Sequence, residues 1–221
     1  MRRLKAKDRK AIEVHEKWFL DKYDPELLDT MPKSDVQLLN YYAKCTDDLY
    51  KYLQLVVDYN LFVISNEIRA ILGHMAEFIL NNGVPNKKNL EKAYGHFRRL
   101  NLDAMKILCD KYDSFFSKML KKQYGYDYRK VAPQYLYDFS TQYYLARDSY
   151  MQAQKQEKSG IDSGHHNILK FYYDAAVKYI KLKNIYMENK AEINKVRVKS
   201  KLKKVVSIIV FLLALITTFF L

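Results

Sequence analysis

Glycine, proline and cysteine are all scarce in this sequence. Six glycines and four prolines in 221 residues leave few places for turns, so long helices are expected, and no strand pattern competes with them. The two cysteines, Cys45 and Cys109, lie far apart without a CxxC or Cys/His cluster, so neither a disulfide framework nor a structural zinc site is supported. No Gly-rich phosphate loop, HExxH or GxSxG motif is present either. The sequence therefore predicts no metal and no cofactor.

Charge is absent from the last 17 residues, 205–221. As a helix they would extend roughly 25 Å, slightly less than a hydrocarbon core but within the range of known membrane spans. Six cations precede them, and by the positive-inside rule this flank stays cytoplasmic at the lipid surface. These cations are Lys195, Arg197, Lys199, Lys201, Lys203 and Lys204. The sequence predicts a tail anchor in the inner membrane, single-pass with the bulk of the chain cytoplasmic; a buried core helix is the alternative.

The pattern of apolar residues predicts helices throughout the remainder of the chain. The basic N-terminus is followed by no apolar stretch typical of a signal peptide, which is why the bulk is expected in the cytosol. Residues 165–221 contain neither glycine nor proline, so one helix could run through them unbroken. We predict an all-α multi-helix bundle whose long C-terminal helix continues into a single transmembrane segment. Its parts are a basic segment with a helix (1–33), the bundle (34–163), a basic connecting helix (164–204) and the anchor (205–221).

Few polar residues interrupt an otherwise apolar helix over residues 61–80. A buried charge without a partner is strongly disfavoured, so these residues must pair or line a cleft. They are Glu67, Arg69, His74 and Glu77. The next helix offers His96, Arg99 and Asp103 on one face, at spacings near three, four and seven. Glycines stand directly before His74 and His96, which suggests close backbone approach or access to the two imidazoles, although structural packing is the alternative.

These residues resemble a known family. Arg69-Ala-Ile-Leu-Gly-His74 is similar to the R-x4-6-H signature of HEPN domains, and residues 34–157 resemble a bacterial HEPN-like group. The resemblance implies metal-independent RNA cleavage by dimers, with His74 removing the ribose 2′-hydroxyl proton and Arg69 stabilising charge on the phosphate. Glu67, His96, Arg99 and Asp103 would form the binding or dimer cleft. Ala70 stands where active members of the family carry a polar residue, so a non-catalytic role is slightly favoured.

Two functions therefore follow as expectations. The first is a membrane-anchored HEPN-like protein that oligomerises as an effector or accessory in bacterial anti-phage defence, with the lipid bilayer and a further copy or defence protein as partners. The second is a membrane-tethered ribonuclease using Arg69 and His74, with RNA as partner. The net charge of +13 is concentrated in the flank before residue 205 and in the first ten residues, and only about +2 remains for residues 11–194. This distribution favours the first function over RNA binding.

Overall fold

The structure is a computed structural model that describes residues 6–57, 61–80, 86–124, 133–159 and 166–220. All regular elements in these ranges are helical, which confirms the all-α prediction. In chain order they are α1 (Ala6–Lys22), a 3₁₀ turn (Pro25–Asp29), α2 (Asp35–Tyr41), a π turn (Tyr42–Thr46), α3 (Asp47–Val56), α4 (Phe62–Leu80), α5 (Lys87–Tyr124), α6 (Pro133–Lys158), α7 (His166–Glu188) and α8 (Lys190–Phe220).

Short polar side chains begin the first turns after α1. The carboxylate of Asp24 accepts a hydrogen bond from the backbone N–H of Glu26 at 2.9 Å, and Pro25 stands where a helix needs no N–H donor. The hydroxyl of Ser34 accepts from the N–H of Gln37 at 3.2 Å and starts α2. Ser34 therefore fixes where α2 begins, and the π turn and α3 follow α2 directly.

The chain divides into two compact units, and the first contains Met1–Phe115 and Leu145–Ile180. Helix α1 packs against α3 in this unit, with Phe19 and Tyr52 both fully buried. The buried carboxylate of Glu16 accepts hydrogen bonds from the hydroxyls of Tyr52 at 2.9 Å and Tyr112 at 3.0 Å. Two phenol donors satisfy an acid that would otherwise be costly to bury, and they tie α1, α3 and α5 together.

Tyrosine–carboxylate pairs recur where α5, α6 and α7 meet within the first unit. Tyr179 donates to Asp113 at 2.9 Å, Tyr172 donates to Glu157 at 2.7 Å, and Tyr150 donates to Asp110. All three rings are buried. Many of the tyrosines therefore serve as core residues with a satisfied hydroxyl, which is the usual arrangement for a buried phenol.

The second unit contains Phe116–Tyr144 and Lys181–Leu221. Its core includes Phe116 and Phe139, whose rings meet edge to face with centroids 5.8 Å apart. Asn189 separates α7 from α8, so the predicted unbroken helix is interrupted by one residue. Its side-chain amide donates to the carbonyl of Ile185 at 2.9 Å, in competition with the backbone ladder.

The apolar end of α8 departs from the sequence prediction. Within the part of the chain that the structure describes, none of the helices has both the length and the apolar content to cross a membrane. This finding contradicts the predicted transmembrane segment, the tail anchor and the single-pass location in the inner membrane. As a helix, the uncharged run at 205–221 covers roughly 25 Å, which is at the lower limit for a hydrocarbon core about 30 Å thick.

Candidate functional site on helices α4 and α5

Three polar residues of α4 contact helix α5: Glu67, His74 and Glu77, whose carboxylate accepts a hydrogen bond from the side-chain amide of Asn89. Glu67 and His74 are seven residues apart, which is close to two full helical turns, so both lie on the same side of α4. His96 of α5 lies opposite them, close enough to contact both side chains. The register that the sequence predicted for these two helices therefore brings Glu67, His74 and His96 together.

The carboxylate of Glu67 is the centre of this group. Its Oε2 atom lies 2.7 Å from Nδ1 of His96, and its Oε1 atom lies 3.8 Å from Nη1 of Arg99. Glu67 is mostly buried, whereas Arg99 is mostly exposed. A carboxylate that accepts from Nδ1 fixes the imidazole orientation and leaves Nε2 as the ring nitrogen available for chemistry. His96 is therefore an oriented imidazole with a guanidinium nearby.

His74 completes the group by stacking. Its ring lies almost parallel to that of His96, with centroids 5.4 Å apart and planes inclined by 25°. Nδ1 of His74 is buried and has no hydrogen-bond partner among the described residues. Because buried polar atoms in proteins are usually paired, this unpaired nitrogen is the least satisfied atom of the group.

Asp103 belongs to a different set of contacts. Its carboxylate lies 3.5 Å from Nζ of Lys106, and Lys106 also pairs with Glu157 of α6. Partial burial raises the pKa of Asp103 above its usual value, and the Lys106 ammonium opposes that shift. Asp103 thus helps to join α5 to α6, whereas Glu67, His74, His96 and Arg99 form the group at α4.

Arg69 lies apart from His74. Five helical residues rotate the chain by about 140° beyond a full turn, so Arg69 and His74 point in different directions from α4. Arg69 is exposed and has no ion-pair or hydrogen-bond partner among the residues that the structure describes. A single chain therefore does not join the Arg69 guanidinium and the His74 imidazole into one catalytic pair.

The predicted basic flank lies on α8. Lys195, Lys199, Lys201, Lys203 and Lys204 are all exposed, and the side chain of Arg197 falls outside the described residues. Lys195 pairs with Glu192 at 2.7 Å, one turn earlier in the helix. The exposed apolar residues that follow are Val205, Val206, Ile208, Ile209, Val210, Phe211, Leu212, Leu213 and Leu215.

Gly73 and Gly95 have space around them. A methyl group added at either glycine would meet no other atom of the described chain within 4 Å, apart from its own helix backbone and neighbours. Close packing inside the chain therefore does not explain either glycine. Gly73 is exposed, so no side chain covers the backbone at this point on the outer face of α4.

Sequence reasoning missed an apolar cavity of about 150 Å³ beside this group. It lies between α2, α4 and α5. Residues of α4 contribute both to this cavity and to the polar group, but on different sides of the helix. Its lining includes Leu38, Leu39, Tyr42, Ile71, Leu72 and Phe97. The apolar character of these positions can be read from the sequence, but the empty space between three helices cannot.

Comparison with protein-family models, with curated proteins and with solved structures found no match for this chain. The resemblance of residues 34–157 to HEPN domains therefore stays a prediction. What the fold and site define is an all-α protein with a Glu–His–His–Arg group between α4 and α5.

Proposed function

We propose that this chain is a helical protein that acts by self-association, with helix α4 forming the contact between copies. The observation that carries the proposal is a row of exposed residues along α4, called here the α4 stripe. Its members are Phe62, Asn66, Arg69, Gly73, Ala76 and Leu80, and all six are exposed. The stripe lies on a different side of α4 from the Glu67–His74 face that packs on α5.

The spacing of the α4 stripe supports a helix partner. Its members are separated by four, three, four, three and four residues, which is the alternation of a helix–helix seam. Large apolar side chains occupy both ends of the stripe, Phe62 and Leu80, and Leu72 beside it is also exposed. A second copy is the simplest partner, because a helix that presents one face can pair with its own image.

In this proposal the Glu67–His96 contact serves to hold α4 on α5 while the stripe faces outward. A role as an effector or accessory in bacterial defence rests on the HEPN resemblance alone and is part of the same proposal. Assembly of copies, rather than catalysis within one chain, is then the functional event.

Sedimentation of the full chain over a range of concentrations tests the proposal, in a mild detergent that covers the exposed apolar side chains after Lys204. We expect a monomer–dimer equilibrium that is lost in Ala76→Glu, because this change adds a charge to the α4 stripe without touching the core. Gln54→Glu is the matched control, since it places the same charge at an exposed position of α3. A chain that stays monomeric at every concentration, or association that persists in Ala76→Glu, would contradict the assignment to α4.

Ribonuclease activity is the second candidate, and the 2.7 Å contact between Glu67 and His96 favours it. The carboxylate orients the imidazole, so Nε2 of His96 could take the 2′-hydroxyl proton of a ribose. The 2′-oxygen then bonds to phosphorus, the P–O5′ bond breaks, the leaving 5′-oxygen takes a proton from water, and Arg99 stabilises negative charge on the attacked phosphate. His96 fits this role better than His74, whose ring nitrogen Nδ1 is unpaired and buried. No metal ion takes part in such a transfer.

Incubating the full chain with single-stranded RNA in the presence of a chelator tests this candidate. The expected result is cleavage that leaves cyclic phosphate ends, falls by about a hundredfold or more in His96→Ala and persists in His15→Ala. His15 is a suitable control because it lies on α1, near Asp48 of α3. Intact RNA, or equal cleavage by both variants, would exclude an acid–base role for His96.

A further inference from the structure

We propose that the apolar cavity between α2, α4 and α5 binds a small carboxylic acid. A chain or ring of about six carbons fills the cavity, and the carboxylate pairs with Arg69 at the surface. The proposal concerns a ligand site and does not depend on self-association. It follows from the size and chemistry of the cavity and from a cation beside its opening.

The cavity has the volume that a small apolar molecule needs. It measures about 150 Å³, and apolar protein cavities of that size stay dry and bind benzene. Aliphatic, thioether and aromatic side chains line it, among them Ile68, Ile71, Met75 and Phe97. A ring or chain of about six carbons would therefore gain dispersion contacts with these side chains on every side.

The cavity opens to the surface between α2 and α4. Leu39 of α2 and Leu72 of α4 belong to its lining, and they are about half exposed, at 49 % and 57 %. Half-exposed residues in the lining mark an opening through which a ligand can enter. An apolar ligand that lies between the two leucines also removes part of their surface from water, which favours binding.

The interior of the cavity is unsuitable for a charge. Tyr42 supplies a polar group to the lining, but burial and the nearby Asp47 carboxylate raise the pKa of its phenol, which therefore stays neutral. None of the residues that line the cavity carries a positive charge, so a carboxylate inside would lose its hydration without gaining a partner. The charged end of a bound acid must therefore lie at the opening.

Arg69 provides a cation beside this opening. It precedes Leu72 by three residues, so the two side chains are neighbours on the surface of α4. Arg69 is exposed and has no ion-pair or hydrogen-bond partner among the residues that the structure describes. A guanidinium can hold a carboxylate through two parallel N–H donors, which orients a small acid as well as attracting it. The site therefore favours an acid over an alcohol or an amine with the same carbon chain.

Titration of the full chain with octanoate, followed by NMR of isotope-labelled methionine methyl groups, tests the site. CHAPS is a suitable detergent, because its fused steroid rings are too large for a cavity of about 150 Å³. The Met75 signal should shift and then saturate, since Met75 lines the cavity, whereas the signal of the exposed Met187 should not saturate. A Met75 signal that stays in place would overturn the proposal. Equal shifts of both signals would do the same, because the acid would then only enter the micelle.

A larger side chain in the lining tests the cavity. Ile68→Trp places an indole ring in the cavity and should abolish the saturable shift. Val63→Trp is the matched control, because it adds the same ring at an exposed position of α4 outside the lining. Octanoate binding that is equal in the two variants would overturn the cavity as the site. The methyl signals report whether Ile68→Trp folds, and the wild-type titration decides the question on its own if it does not.

The carboxylate pairing is tested at Arg69. Arg69→Gln should weaken octanoate binding by about two- to fivefold, the range of an exposed ion pair, and leave octanol binding unchanged. Arg147→Gln is the control, since it removes an exposed cation from α6. Octanoate binding that is unchanged in Arg69→Gln, or octanol binding that falls equally, would overturn the pairing with Arg69.

Discussion

Helix α4 and the end of α8 are the two strongly apolar segments of the sequence, and they differ in how they are packed. Glu67 and His74 interrupt α4, and α5 supplies their contacts, so one side of α4 is packed and another is open. The run that starts at Val205 has no charge, and its described side chains are all exposed. Each segment belongs to a different compact unit of the chain.

The difference shows what a few polar residues in an apolar helix indicate. A carboxylate or imidazole on such a helix needs a partner, and the partner fixes which neighbouring helix packs there and in which register. An apolar run without polar residues specifies no partner in this way. Its exposed side chains predict association that lacks a defined geometry.

The largest expected effect comes from deleting residues 205–221. In buffer without detergent the full chain should form particles of high and varied mass, whereas the shortened chain should give only the monomer and the α4 dimer, because the exposed apolar run is gone. Light scattering after size-exclusion chromatography measures the change. The melting temperature should stay within a few degrees of the wild type, since the described side chains removed are not part of the core.

The shortened chain also separates the two apolar segments. A dimer that forms through α4 should persist after the deletion and disappear when Ala76→Glu is added. If the deletion alone gave a monomer at every concentration, the apolar run and not α4 would be the surface that associates.

Much of the α4–α5 pairing could be predicted from the sequence, because buried charges require partners and helical periodicity limits the candidates. Glu67 and His96 were found in this way. Arg69 was grouped with His74 only through the HEPN signature, although a separation of five residues places them on different sides of a helix. The contact of Asp103 with Lys106, which also pairs with Glu157, was not predicted, because it depends on how α6 packs.

The remaining features depend on three-dimensional packing. To predict the cavity beside Leu72, one would need to know how α2, α4 and α5 pack and where they leave a gap. Side-chain volumes alone do not give that packing. The transmembrane prediction relied on the absence of charge in residues 205–221, a run of 17 residues that is at the lower limit for a membrane span. The 4-3-4-3-4 spacing of the α4 stripe was readable in the sequence, but its exposure was not.

The next largest effect concerns the contact that holds α4 on α5. Glu67→Gln should lower the free energy of unfolding by about 1–2 kcal/mol, because it removes a charge-assisted hydrogen bond to His96 and the pairing with Arg99. Thermal unfolding followed by circular dichroism measures the loss. Glu91→Gln provides the control, since its exposed pair with Lys87 at 3.9 Å should contribute less than about 0.5 kcal/mol. Equal effects of the two changes would show that Glu67 has no special role in packing.

Salt should have a smaller effect on the proposed α4 dimer. The α4 stripe carries one cation, Arg69, and no acidic residue, so two stripes that face each other repel, and salt screens this repulsion beyond about 10 Å at 0.1 M. The dissociation constant should therefore fall by about two- to fivefold between low and moderate salt, and Arg69→Gln should remove this dependence. Sedimentation at several salt concentrations gives the answer. A dimer that weakens with salt would instead indicate attraction between opposite charges, which the α4 stripe does not contain.

The smallest expected effect is a difference in dimer affinity between Gly73→Ala and Gly95→Ala. An added methyl group meets open space at both positions, and alanine favours a helix over glycine, so Gly73→Ala and Gly95→Ala should each stabilise the monomer by about 0.5–1 kcal/mol. Only Gly73 lies on the α4 stripe, where a methyl group would enter the space between paired helices. Gly73→Ala should therefore weaken the dimer, whereas Gly95→Ala should leave its affinity unchanged. Because both changes stabilise the monomer, a difference in dimer affinity between them reports on the contact at Gly73. Two variants with identical dimer affinities would mean that the helices do not approach each other at Gly73.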